Sequence, residues 1–255
     1  MYDVIRSLAY KTRTNLIFKA ALLGVTGLMF VMITSIDDGA KLCGSQLAVC
    51  FADSGFFLLI QCLTIGGIII GSDFNDKTLN YEVMSGHNKK EIYFSRMIVA
   101  LLTAIIATLI AINVPVIVVS AIGGWGNAIS LSSYILRVAM IILPIFKFIA
   151  LMQLLCFVMR NYFAAIAVGF IVVFFEMMIT GFLDLPDWIN NILISTSFNK
   201  LLGYVSNVNE QTGAISYISK ISNSDLTIVI SVNLIMGLLF MIGGYIYCKK
   251  NDLDT

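Results

Sequence analysis

Histidine, proline, cysteine and charge are all scarce in this sequence, and each scarcity excludes something. Among 255 residues there are one histidine (His87), three prolines, five cysteines and only 12% charged residues. One imidazole and dispersed thiols cannot close a metal site, so none is expected. No nucleophile–base pair is apparent, and no catalytic residue is assigned. An intramembrane protease of the glutamate type needs Glu and His clustered within spans, whereas Glu176 stands alone. The cysteines are too few and scattered for a disulfide scaffold. Cys62, Cys156 and Cys248 fall in or beside apolar runs, where packing is the ordinary reading. Cys43 and Cys50 share one segment between such runs. They are a candidate disulfide if that side is oxidising, and free thiols otherwise. The net charge of +1 gives no case for nucleic acid or a polybasic lipid tether.

What is abundant is apolar surface. The chain is 59% hydrophobic, with a mean hydropathy of +0.93. Soluble domains sit nearer about 45–50% apolar and about 25% charged, so an integral membrane protein is expected. The apolar runs are continuous rather than alternating, which favours helices over a barrel. Six segments are long enough to span: approximately 16–33, 54–71, 97–122, 134–159, 162–183 and 226–247. No soluble segment is long enough to fold alone, so residues 1–255 form one all-α membrane domain. Pro115 and Pro144 are expected to kink the third and fourth spans or let them tilt. The segment 1–14 lacks a small-residue cleavage site and does not read as a signal peptide.

Orientation follows from the basic residues. Arg6, Lys11, Arg13, Lys19, Lys77, Lys89, Lys90, Arg96, Arg160, Lys249 and Lys250 fall on one side if both termini are cytoplasmic. The opposite side holds mainly acidic residues, among them Asp37, Asp53, Asp184 and Glu210. Val4, Ile5 and Leu8 recur at helical spacing in a short amphipathic N-terminal helix, either a functional elbow or a plain basic anchor. Between spans five and six, 184–225 is a long connection. Pro186, Trp188 and a helical recurrence of apolar residues predict a re-entrant or interfacial outer helix there, followed by a polar loop.

The densest charge in the chain lies in 71–96, between spans two and three. Residues 77–84 are predicted to form a short helix with Leu79 and Val83 on one side, followed by a turn at Gly86. Asn88 and Glu91 have the spacing of a capping box opening the next helix. A partial likeness to a phosphate-binding loop fails, because Asp76 replaces its second glycine and no strand precedes it. Within the spans, Lys147 and Glu176 lie at matching depth if spans four and five form a tight hairpin at Arg160–Asn161. An intramembrane ion pair is expected, fixing helix register or lining a substrate path. Asn113, Gln153 and Asn233 are candidate interhelical hydrogen-bonding residues, and Gly24/Gly27 and Gly67/Gly71 candidate close approaches.

Six spans, an amphipathic elbow, a charged hairpin and a long outer segment together resemble the permease subunit of ABC-2 type ATP-binding-cassette transporters. The local likeness is in 71–96, where Asp73-Phe74, Thr78 and a basic restart at Lys89 or Lys90 match the family pattern. Lys77 stands where glycine is usual, and Arg96 where lysine is usual. The resemblance implies a coupling helix docked on an ATPase, with Asp73, Phe74, Lys77, Thr78, Tyr81, Glu82, His87, Lys89, Lys90 and Glu91 as docking residues. It implies two ATPase copies that bind ATP and magnesium, no cofactor on this chain, and a second permease copy or a homologue as partner. The location implied is the bacterial plasma membrane. Small permeases of this kind resemble those for antimicrobial-peptide immunity and for export of amphipathic peptides such as phenol-soluble modulins. The alternatives are an autonomous secondary transporter or membrane sensor, and a membrane enzyme.

Overall fold

The computed structural model describes residues 2–15, 19–20, 23–28, 31, 43–50, 55–75, 78–183, 186–203, 205–208, 215–217 and 221–250. In chain order they form α1 (Tyr2–Thr14), α2 (Gly44–Cys50), α3 (Gly55–Asn75), α4 (Thr78–Met84), α5 (Lys89–Gly123), α6 (Leu131–Met140), α7 (Ile142–Met159) and α8 (Tyr162–Phe182). Next come α9 (Asp187–Ile192), α10 (Ile194–Leu202), β1 (Val205–Val208), β2 (Ile215–Tyr217) and α11 (Asn223–Lys250). Among the described residues, five spans are long and apolar enough to cross a membrane: α3, α5, α6 with α7, α8 and α11. The expected first span, 16–33, lies largely outside the described residues.

The long helices fit together through glycine. On α3, a Cβ at Gly71 would come within 2.9 Å of the Tyr162 Cα and 3.2 Å of the Cys156 sulfur. Gly66 faces Met152 of α7, and Gly67 faces Ile166 of α8. On α11, Gly237 abuts the Lys147 backbone and Gly244 the Leu154 backbone. The interface of α7 with α11 is the most extensive between any two helices here. In a membrane, backbones that approach this closely gain dispersion contact that lipid cannot supply. Gly24 and Gly27 meet nothing within 4 Å, so they are not approach points among the described residues.

Polar side chains tie the same helices. Gln153 donates to the Tyr93 carbonyl at 2.8 Å, and the Tyr93 hydroxyl donates to the Met241 carbonyl at 2.8 Å. One tyrosine thereby joins α5, α7 and α11. Tyr134 donates to Asn113 at 3.0 Å, joining α6 to α5. Asn233 differs from expectation: its amide donates only to Val229 on its own helix, and its oxygen has no partner among the described residues.

The expected fourth span is two helices, with a turn at Ile141. Pro144 explains the break: its ring meets the carbonyl four residues back, at Met140, and offers that carbonyl no N–H. Pro115 lies inside α5 without ending it. Helix α7 stops at Arg160, whose φ of 52° is left-handed. Asn161 then caps α8, its side chain accepting from the N–H groups of Phe163 and Ala164 at 2.9 and 3.3 Å. The predicted tight hairpin is present. The expected polar outer loop contains an antiparallel ribbon instead, pairing Val205 with Tyr217 and Val208 with Ile215.

Replacing Gly71 with Val tests this packing. Tyr162 contributes backbone at the contact and cannot rotate away, so overpacking by roughly 1–3 kcal/mol is expected. The melting temperature of the detergent-solubilised protein should fall, while the same change at Gly24 should leave it unmoved.

Candidate functional site: a buried charge hub beneath a short helix

Helix α5 has 35 residues, about 52 Å at 1.5 Å per residue, against a hydrocarbon thickness of about 30 Å. All its charged residues lie in its first eight positions, 89–96. That charged end meets the last turn of α3 and the hairpin helix α4. Arg96 is fully buried there. Its Nη2 donates to Asp73 Oδ2 at 2.7 Å and its Nη1 to Glu82 Oε2 at 2.9 Å. Asp73 is itself buried, and its other oxygen accepts from Lys11 of α1 at 2.6 Å and from the Thr78 hydroxyl at 2.9 Å. The guanidinium and carboxylate together bind α1, α3, α4 and α5 to one another. Lysine could not hold two carboxylates at fixed angles in this way, because it lacks the planar fork.

This arrangement divides the expected docking residues by facing. Asp73, Thr78 and Glu82 point inward as scaffold, and Phe74 packs edge-on against Phe157 with ring centres 5.1 Å apart. Leu79 is buried and Val83 partly so, as predicted for the inner face of the short helix. Tyr81 and Met84 are 70% and 82% exposed. Lys90 is also exposed, and His87 is half-buried, its Nδ1 3.6 Å from Glu91. Lys89 is half-buried. Lys77 lies outside the described residues. Gly86 turns the chain with φ of 90°. The capping box is not formed: Asn88 opens α5 with extended backbone but no side-chain cap, and the Glu91 carboxylate lies toward His87. Arg96 and Lys11, the residues that assemble the hub, have no local motif. Their only sequence signal is one arginine at the edge of a run without charge from 97 to 122.

At the opposite end, three charged residues from three helices hold α9 and α10. Lys147 and Glu176 lie within electrostatic reach of each other but do not form the expected direct ion pair within 4 Å. Each is instead bound to backbone. Glu176 accepts from the N–H groups of Ile194 and Ser195 at 2.9 and 3.1 Å, at the start of α10. Lys147 donates to the Ile192 carbonyl, at the end of α9. Arg137, buried on α6, donates to the carbonyls of Leu201 and Gly203 at 3.3 and 2.9 Å, at the end of α10. Helix ends carry unpaired N–H groups at the start and unpaired carbonyls at the finish. An anion at the first and cations at the second complement both the bonding and the dipole. Between these grips, Ile194, Phe198, Leu201 and Leu202 bury the apolar face of α10.

The candidate Cys43–Cys50 pairing involves the Cys50 side chain, which lies outside the described residues. The Cys43 Sγ lies 3.5 Å from the Gly123 carbonyl.

These features define a multi-pass helical membrane protein with a buried charge hub at one end and a clamped pair of short helices at the other. No protein-family model matches the chain, and no curated protein matches it.

Two outcomes follow from the geometry. Arg96→Ala leaves Asp73 buried without its guanidinium and should cost about 3–5 kcal/mol, with early proteolysis in the hairpin; the pair Asp73→Asn with Arg96→Leu should lose less. Glu176→Ala and Arg137→Ala each release one end of α10. Their effects on the reactivity of a Phe198→Cys thiol toward a water-soluble maleimide should be less than additive, because both act through one helix. Simple addition would show that the two grips are independent.

Proposed function

We propose that this chain is the non-catalytic membrane subunit of an ABC-2 type ATP-binding-cassette exporter, with α4 as its docking helix. The observation that carries this reading is the placing of α4. It is too short to span, is braced from beneath by Arg96, and leaves Tyr81 and Met84 exposed at its tip. A short helix so held transmits force without bending, which suits a contact with a separate motor protein. ATP and magnesium belong to two copies of that ATPase, and a second permease, identical or homologous, completes the assembly. In this reading six spans place both termini and the hairpin in the cytoplasm of a bacterium, and α1 is the elbow at the inner headgroups. The cargo is an amphipathic peptide. The clamped helices α9 and α10 stand on the far side from the motor, beside the exit end of any path through the bundle.

Pull-down of the tagged full chain from native membranes, followed by mass spectrometry, tests the partner. An ATP-binding-cassette ATPase is expected at about equal amount. The double variant Tyr81→Ala, Met84→Ala should reduce its recovery about tenfold or more, as loss of a central contact does, without lowering the melting temperature. Recovery of the permease alone from mild detergent would overturn the reading and favour a protein that works without an ATPase.

A further inference from the structure

A groove of about 280 Å³ runs between α1 and α5, lined by Ala9, Thr12 and Arg13 on one side and by Thr103, Ile106 and Ile110 on the other. Its walls are apolar despite the two threonines. Thr12 donates to the Leu8 carbonyl at 2.8 Å and Thr103 to the Val99 carbonyl at 2.7 Å, so each hydroxyl is occupied by its own helix. Arg13 is exposed and makes no ion pair or hydrogen bond among the described residues. The neighbouring cation Lys11, by contrast, is bound to Asp73.

The depth of the groove makes that unpaired guanidinium informative. Thr103 lies seven residues beyond Arg96, about 10 Å further along α5, inside the stretch 97–122 that holds no charged residue. An amphipathic helix at a membrane surface sinks about 5–10 Å into the boundary between headgroups and acyl chains. Arginine at that level reaches toward the headgroups and requires a counter-ion, and no described side chain supplies one. Beyond Ile110, Val114 and Ile117 continue an exposed apolar track up α5.

We propose that this groove binds one anionic phospholipid, with the phosphate on Arg13 and an acyl chain laid over Thr103, Ile106 and Ile110. The guanidinium supplies a charge-assisted fork for the phosphate oxygens, and the apolar track supplies the length that a chain needs. The site concerns α1 and α5 alone, so it stands whether or not an ATPase partner exists.

Native mass spectrometry of the delipidated full chain, titrated with phosphatidylglycerol or phosphatidylcholine of identical chains, tests it. Wild type should retain phosphatidylglycerol about tenfold better, the worth of one hydrogen bond to a charged group. Arg13→Ala should abolish the preference, and Arg13→Lys should restore part of it. Lys90→Ala, with the same loss of charge elsewhere, should keep it in full. Ala9→Trp, at an exposed position on the groove wall, should exclude both lipids while leaving the melting temperature unchanged. Equal retention of the two lipids by wild type would overturn the proposal. So would an Ala9→Trp variant that binds as well as wild type, since attraction would then be to surface charge and not to a groove. A disulfide-linked dimer formed by Ile106→Cys would overturn it too, by showing the groove covered by a second copy.

Discussion

A single arginine without solvent exposure holds two carboxylates from different elements, and the hairpin end of this protein depends on it. Removing a guanidinium from water costs several kcal/mol, recovered only if its donors are used. Arg96 uses Nη1 and Nη2 on Glu82 and Asp73, and its Nε has no acceptor among the described residues. Asp73 is correspondingly overcommitted, accepting from Arg96, Lys11 and Thr78 at once. Four helices therefore share one electrostatic joint. The exposed tip of α4 can be apolar, as Tyr81 and Met84 are, because its position is set by charge beneath and not by burial of the tip itself.

The far end uses the same chemistry with different partners. There Lys147 and Glu176 attract each other without direct contact, and the charges close the open ends of α9 and α10. A direct Lys147–Glu176 pair would satisfy two side chains and leave the backbone of the insert unbonded. In a low-dielectric setting an unsatisfied N–H or carbonyl costs several kcal/mol. Five such groups, on Ile192, Ile194, Ser195, Leu201 and Gly203, are bonded by three side chains. The charges are thus a means of admitting irregular backbone among apolar helices. They also make α10 dependent on α6 and α8, which grip its two ends, and α9 dependent on α7.

Helix by helix, much of this was legible in apolar run length, because lipid demands a continuous stretch of fixed minimum length. The short hairpin helix, the Gly86 turn, the Arg160–Asn161 corner and the depth match of Lys147 with Glu176 all follow from local residue types. Partner choice was not legible. Depth along a helix is a one-dimensional property and says nothing of azimuth, so Lys147 and Glu176 at one level remained free to face different neighbours. The same limit concealed Lys11, which reaches a carboxylate 62 residues away. Ribbon formation in 205–217 was hidden for another reason: Ser, Asn and Gly composition reports turns and leaves strand pairing unspecified. The Asn88–Glu91 spacing does not close a capping box because the Glu91 side chain is turned to other partners, His87 Nδ1 among them at 3.6 Å.

Helix α5 connects the two ends. Its first turns carry Arg96 and Tyr93, and its last residues lead into Gly124 and Trp125, whose carbonyls accept from Gly44 and Ser45 of α2 at 2.9 and 2.7 Å. Between them its inner face is small and close-packed, with Ala100, Ala104, Ala107 and Ala111 all buried. Small residues permit sliding contacts of low corrugation, whereas the hub and the Tyr93 bonds are specific and directional. A push on α4 would accordingly move α5 as a rod, carrying α1 through Lys11 and α11 through Tyr93. Coupling over such distances needs an element that both sites bias. In the proposed exporter, α5 meets that requirement at the motor end through two ion pairs, and at the far end through backbone hydrogen bonds that a rigid displacement would strain together.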